Sequence, residues 1–275
     1  MNLFNVIDEI QKVDPEFQDR ISPRRDAIKN ITSFGTKVAA AALPFAFSTL
    51  FKKAYGQTTS SVNDVLNFAL TLEYLEAYFY NQGLAKTNLI PAADKGYFTT
   101  VAGHENAHVA FLKTVLGSAA VSSPTFDLTA KGTFADVLTN YNTYLAVAET
   151  FEDTGVRAYK GQAGNLLGNQ IVLTAALQIH AVEARHASAI RYLRASKGVT
   201  IKPWISGSAS VFNDTGIAAV NASYAGENNT VQGGVDITTL NAVSGKTSIT
   251  AAIESFDEPL TKDAVLAIVS PFIVS

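Results

Sequence analysis

Apolar residues recur at intervals near 3.6 through four stretches of the chain between Ser61 and Gly198, the spacing that turns one face of a helix toward a core. The pattern predicts a first helix from about Val62 to Leu84 and a second that follows Pro91 and stops at Gly117. A third starts near Thr133 with Asp136 three residues on, and a fourth runs from about Asn169 to Ser196 with Gly198 as its stop. Short connections between one and two and between three and four make each pair an antiparallel hairpin. The segment Ser118 to Gly132 differs. About fifteen extended residues at roughly 3.3 Å each cover about 50 Å, enough to return along a helix of about 30 Å. The expected fold class is therefore all-α, a four-helix bundle with a long crossover between helices two and three.

Both ends depart from this texture. After Gly198 the chain turns to Gly, Ser, Thr, Asn and Val, with VQGGVDITTL reading as a short strand or two around a turn. The close, ESFDEPLTKDAVLAIVSPFI, offers Thr261 as N-cap and an apolar run ended by Pro271, a short docking helix. At the other end, SPRRDAIKN precedes an apolar run from Val38 to Phe51 and then Lys52-Lys53-Ala54-Tyr55-Gly56. A run of this length with Pro44 inside is shorter than the roughly 20 residues a bilayer span needs, so no stable membrane anchor is expected. It has the size of a signal h-region, and Arg24-Arg25 with Ile28 and Lys29 behind resembles a twin-arginine export motif, although Ala27 stands where that pattern prefers an aromatic. Ala54 and Gly56 suit a cut before Gln57; an N-terminal arm that stays attached is the other reading. The expected organisation is a signal or arm over 1–56, the bundle over 57–198 and an extension packing on it over 199–275.

Composition narrows the chemistry. The chain of 275 residues is 47% hydrophobic and 16% charged, so it can bury a sizeable core. Lys plus Arg is 21 against 24 Asp plus Glu, leaving no basic surplus for phosphates and making nucleic acid an unexpected partner. The absence of Cys excludes disulfides, thiolate metal sites and a thiol nucleophile. Any metal must be held by oxygen and imidazole.

Four segments supply those donors: LEYLEAYFY, GHENAHVAFL, AETFEDTGV and HAVEARHASAI. Glu105 with His108, and Glu183 with His186, are i, i+3 pairs that share a helix face. Helix one offers Glu73 and Glu76, and helix three offers Glu149 and Glu152. The order Glu, Glu-x-x-His, Glu, Glu-x-x-His is that of bundle di-metal carboxylate sites. Glu73 to Glu105 is 32 residues and Glu149 to Glu183 is 34, so the chain reads as two copies of one hairpin. All four His fall in these segments. Buried carboxylates demand cations, and two divalent ions balance four of them. A structural salt-bridge core is the competing reading, weakened because Arg157 and Arg185 are too few and are expected off that face. Tyr80, seven residues after Glu73, shares its face and is a candidate catalytic residue, with core packing as the alternative. His180 reads as a supporting or core histidine, His104 as pointing away, and Gly155 as either a tight helix contact or room for a substrate.

These residues resemble the ferritin-like superfamily, and LNFALTLEYLEAYFY, EDTGVRAY and FDEPLTKDAVLAIVSPF are similar to exported bacterial ferritin-like proteins of the desiccation-associated type. The resemblance covers about Ser61 to Ser196 and the C-terminal helix. It implies a site for two metal ions, Fe or Mn. Glu73 and Glu149 then match the single Glu of helices one and three, Glu105 and Glu183 the bridging Glu, and His108 and His186 the terminal imidazoles. Glu152 resembles an additional third-helix carboxylate, and Glu76 is a further possible ligand without such a counterpart.

The resemblance implies redox chemistry on peroxide or oxygen. Without Cys there is no rubredoxin-type electron input, and peroxide disproportionation, which needs no outside reductant, is the expected reaction. Two other readings stay open, an iron-oxidising storage protein and a structural stress protein with little catalysis. The expected partners are a small oxidant and the twin-arginine export machinery, with a homo-oligomer left open, and the expected location is periplasmic or extracellular.

Overall fold

The computed structural model describes residues 61–207, 218–243 and 245–274. The expected export segment, 1–56, lies outside the described residues. Four long helices form the body: α1 (Val62–Ala85), α2 (Ala92–Leu116), α3 (Tyr141–Ala163) and α4 (Gln170–Ser196). Three of them begin at a side chain that meets orphan backbone N–H groups, and α2 follows Pro91 without one. Ser61 and Asp64 close a reciprocal capping box on α1, Pro91 opens α2, and the Asn140 and Asn169 side chains accept from backbone N–H groups of α3 and α4. Gly117, at φ 55°, lets the chain leave α2 in a conformation a Cβ would resist. α1 packs along α2 and α3 along α4, and α1 also meets α3.

The third helix starts at Tyr141 and not near Thr133. Ala130, Lys131 and Gly132 all have positive φ, and 133–139 then winds through turns, with Phe134 N–H bonded to the Thr129 carbonyl and Val137 N–H to that of Phe134. Phe134 and Val137 are buried, so this segment carries a helix-like apolar spacing while packing as turns. The crossover therefore runs on to Asn140. Its start is tied to α1, where Asn67 donates to the Ala119 carbonyl at 2.9 Å and accepts from Val121 N–H at 2.9 Å.

Beyond α4 come α5 (Ala218–Asn221), a two-residue hairpin of β1 (Val231–Gln232) and β2 (Val235–Asp236), α6 (Ile249–Ile253) and α7 (Lys262–Val269). Gly233 and Gly234, both at positive φ, make the hairpin turn. Thr261 caps α7, and Pro271 stands in the 3₁₀ turn that follows it. The C-terminal residues pair with the crossover, with Asp127 N–H on the Phe272 carbonyl and Val274 N–H on that of Thr125.

Arg157 of α3 fastens the extension. Fully buried, it donates to the carbonyls of Ser223, Ala225 and Glu258 and lies 2.7 Å from a Glu227 carboxylate oxygen. Next to it, a Cβ at Gly161 would fall 1.9 Å from the Leu260 carbonyl oxygen, so only glycine lets the extension approach this closely. Covered by α1, α4 and this extension, α3 is buried without a break from Tyr144 to Tyr159.

Candidate metal centre

The apolar core divides into two clusters. On α2, Phe98, Val101 and Ala102 belong to one and Leu112 and Leu116 to the other; on α4, Ile190 belongs to the first and Ala176 and Ile179 to the second. Glu105 and His108, and Glu183 and His186, fall in the gaps between. The helical period thus delivers an acidic belt between two dry layers.

Within that belt, Glu73, Glu105, His108 and Glu183 form one group, and Glu105, Glu152, Glu183 and His186 a second, each with its ligand atoms within 4.8 Å of one another. Glu105 and Glu183 belong to both. The carboxylates are buried completely, and the imidazoles are buried or nearly so. His108 Nδ1 has oxygens of Glu73, Glu105 and Glu183 at 3.1, 3.1 and 3.2 Å; His186 Nδ1 has oxygens of Glu105 and Glu152 at 3.0 and 3.2 Å. One ring nitrogen carries at most one proton and cannot satisfy three acceptors. Glu105 Oε1 and both oxygens of Glu183 are indeed buried without a hydrogen bond. Donor atoms about 3.0 Å apart are what neighbouring ligands of a cation show when each bond is about 2.1 Å. The chemistry of the donor set therefore fits metal ions, which these residues could hold.

Electrostatics in the absence of a cation point the same way. Burial, reinforced by the neighbouring carboxylates, holds the Glu73, Glu76 and Glu152 carboxyls well above the usual range. Burial opposes charge on His108 and His186, but the surrounding carboxylates outweigh it and push both imidazoles up to about 12. For Glu183 burial is again the largest influence, yet the two adjacent imidazoles overcome it and bring the carboxyl down to about 2. Protons thus do the work that cations would otherwise do.

Two tyrosines bind the groups crosswise. Tyr80 Oη of α1 donates to Glu152 of α3, and Tyr159 Oη of α3 donates to Glu73 of α1 at 2.5 Å. Both phenols are buried, and burial followed by these carboxylates holds their pKa values well above the ordinary range. Tyr80 therefore stands beside the centre as a hydrogen-bond donor to a carboxylate.

Glu149 does not join either group. Its carboxylate lies 3.2 Å from Arg191 Nη1 and accepts from Arg194 Nη1 at 2.6 Å, and Arg191 also pairs with Asp153, which in turn accepts from Tyr224 Oη. Glu152 takes the place expected for Glu149. The salt-bridge core and the acidic centre are both present, on two faces of α3. Arg191 and Arg194 escaped the sequence reading, although their i, i+3 spacing after Glu183 and His186 was visible. So did Tyr159. Its signal is internal: Glu73, Tyr80, Glu105 and His108 are spaced by 7, 25 and 3, and Glu152, Tyr159, Glu183 and His186 by 7, 24 and 3. That match selects Glu152.

Glu76 stands next to the belt outside both groups. His180 is half-buried outside both groups, its Nδ1 3.0 Å from the Val156 carbonyl oxygen. His104 does not point away: its Nδ1 lies 2.9 Å from Nε2 of His186, with the rings stacked at 14°.

A bundle of two hairpins joined by a crossover, with Glu-x-x-His on the second helix of each, defines a class before any comparison is made. Residues 61–196 match the family model described as the ferritin-like domain, and the four long helices have the ferritin-like fold. No curated protein matches the chain.

Proposed function

We propose that the chain binds two ions of iron or manganese between its four long helices and uses them in redox chemistry on hydrogen peroxide or dioxygen. The observation that carries this reading is the sharing of Glu105 and Glu183 by two donor groups, an arrangement suited to a pair of ions. Glu73 and His108 would complete one position, and Glu152 and His186 the other. Carboxylate and imidazole donors suit these two metals. When bound, the pair supplies a store of electrons that peroxide can both fill and empty.

The chain's own residues provide the setting. Tyr80 and Tyr159 orient the two outer carboxylates from opposite halves, and the flanking apolar clusters exclude bulk water. Disproportionation of two peroxide molecules to dioxygen and two waters needs no outside reductant, which agrees with a chain that has no Cys for an electron-transfer centre. Reconstitution with Fe(II) or Mn(II), followed by elemental analysis and measurement of peroxide loss against dioxygen release, tests the proposal. Two ions per chain with dioxygen evolution is the expected result. Zinc alone, or no metal after reconstitution, overturns it, and oxygen-dependent uptake of ferrous iron far beyond two ions would instead mark a storage protein.

We also propose export by the twin-arginine route, supported by Arg24-Arg25, the weakly apolar run behind them and Lys52-Lys53. Among the described residues no helix is long and apolar enough to cross a membrane. Such a route carries folded proteins, so metals could be loaded before transport to the periplasm or beyond.

A further inference from the structure

Glu76 and Gly155 occupy corresponding places in the two halves of the bundle. Glu76 lies three residues after Glu73 in α1, and Gly155 three after Glu152 in α3. Under the relation that pairs Glu73 with Glu152 and Tyr80 with Tyr159, a carboxylate on one side answers bare backbone on the other. The two also meet: a Cβ built at Gly155 would lie 3.4 Å from Glu76 Oε1 and 3.5 Å from Glu183 Cγ. Glycine is not required here by its backbone, which has no positive φ, nor by a close-packed main chain, since its neighbours are side-chain atoms in ordinary contact. Gly161, pressed against the Leu260 carbonyl, shows what such a requirement looks like.

What Gly155 leaves is space. A slot that is not sealed opens between α1 and α3, lined by Leu72, Glu76, Phe151, Thr154 and, from α7, Val269. Its volume of about 10 Å³ is that of a single water-sized sphere. Thr154 turns its hydroxyl to the Thr150 carbonyl at 2.6 Å, so the walls are apolar and Glu76 supplies the polar end beside the acidic belt.

We propose that this slot is the passage by which substrate reaches the centre, and that Gly155, Glu76 and Val269 restrict it to neutral species of two or three heavy atoms. The inference rests on the metal reading above and adds the substrate's size and charge. Apolar walls do not replace the hydration shell of an ion, and the carboxylates behind Glu76 repel anions, whereas peroxide and dioxygen meet neither barrier. It also gives the C-terminal extension a part in the site, because Val269 of α7 lines the slot.

The test uses nitric oxide, a neutral two-atom probe, on the full chain loaded anaerobically with Fe(II). Metal content is measured first, then the association rate from the optical band of the iron nitrosyl by stopped flow. An iron-free wild-type protein would overturn the metal reading itself, which separates that failure from failure of the slot. In Gly155→Ala the added methyl sits in ordinary contact with Glu76 and Glu183, so fold and iron content should be retained while association slows on the order of tenfold or more, as expected when one methyl fills a gap of this size. Val269→Ala, which trims a residue lining the slot, should raise the rate. A Gly155→Ala protein that holds its iron and binds nitric oxide at the wild-type rate overturns the passage. So does one that loses iron, because Gly155 would then be making room for the ligand carboxylates.

Discussion

Glu105 and Glu149 are both buried carboxylates on neighbouring helices, yet different charges neutralise them and their removal should differ. Glu149 faces Arg191 and Arg194, so Glu149→Gln leaves buried guanidinium groups short of a counter-charge and should cost about 3–5 kcal/mol, read by chemical denaturation, with metal content unchanged. Glu105 faces two imidazoles and is shared by both donor groups, so Glu105→Ala should abolish binding of both ions in elemental analysis, whereas Glu152→Ala should retain one. The titration of the belt gives a further expectation. In the metal-free protein Glu73, Glu76 and Glu152 carry raised pKa values, and a raised acid contributes stability that is complete below its unfolded value and lost as pH rises through the folded one. His108 and His186, raised to about 12, act in the same direction between 6.5 and about 12, while Glu183, lowered to about 2, contributes above 4.5 and loses that contribution as pH falls through about 2. Metal-free protein should therefore melt progressively lower as pH rises from neutral, and metal uptake should release protons and tighten with pH, measurable by titration calorimetry in buffers of differing ionisation enthalpy.

At the scale of elements, α3 has two polar faces with separate duties. Glu152 and Tyr159 serve the acidic belt, while Glu149, Asp153 and Arg157 hold α4 and the extension. Arg157→Met takes a donor from three carbonyls and leaves the buried Glu227 carboxylate with the Glu258 N–H but without its guanidinium; burial already pushes Glu227 up to about 8 against the pull of this arginine. The expected loss is about 3–5 kcal/mol, with new proteolytic cuts beyond residue 218 as the local sign that the extension has come away from α3. Metal content should survive, since no ligand lies on that face.

For the whole molecule, cations that bind the folded chain alone should stabilise it by mass action, each ion by about 2.7 kcal/mol when free metal stands at 100 times that ion's dissociation constant. Melting temperatures recorded over a series of Fe(II) or Mn(II) concentrations should rise accordingly, and stay flat if the belt binds nothing. Export, too, acts on the whole chain. Replacing Arg24 and Arg25 together by lysine should trap uncut chain in the cytoplasm, seen by fractionation and mass, and normal export of the double variant would refute the twin-arginine reading.

Four helices, two hairpins, the crossover, the capped C-terminal helix and the chemical identity of the donors were all legible in the order of residues, because each depends on contacts within a turn or two: the 3.6 period, a capping side chain, a glycine stop, an i, i+3 pair. The residue-by-residue choice on α3 was harder. Glu149 and Glu152 lie about 60° apart on one helix, both within the arc a buried face can present, so local spacing left the ligand register open. The repeat that joins Glu152 to Tyr159 held the answer, but its force is seen once Tyr80 and Tyr159 cross between halves. The start of α3 was misjudged for a related reason, since Phe134 and Val137 have helical spacing but are buried from a run of turns. Arg191, Arg194 and Arg157, the contact of His104 with His186, and the space kept by Gly155 depend on groups 28 to 101 residues distant along the chain. Charge pairing and packing at that range are properties of the assembled bundle, in which burial makes an unpaired ion costly and so fixes which partner each one must find.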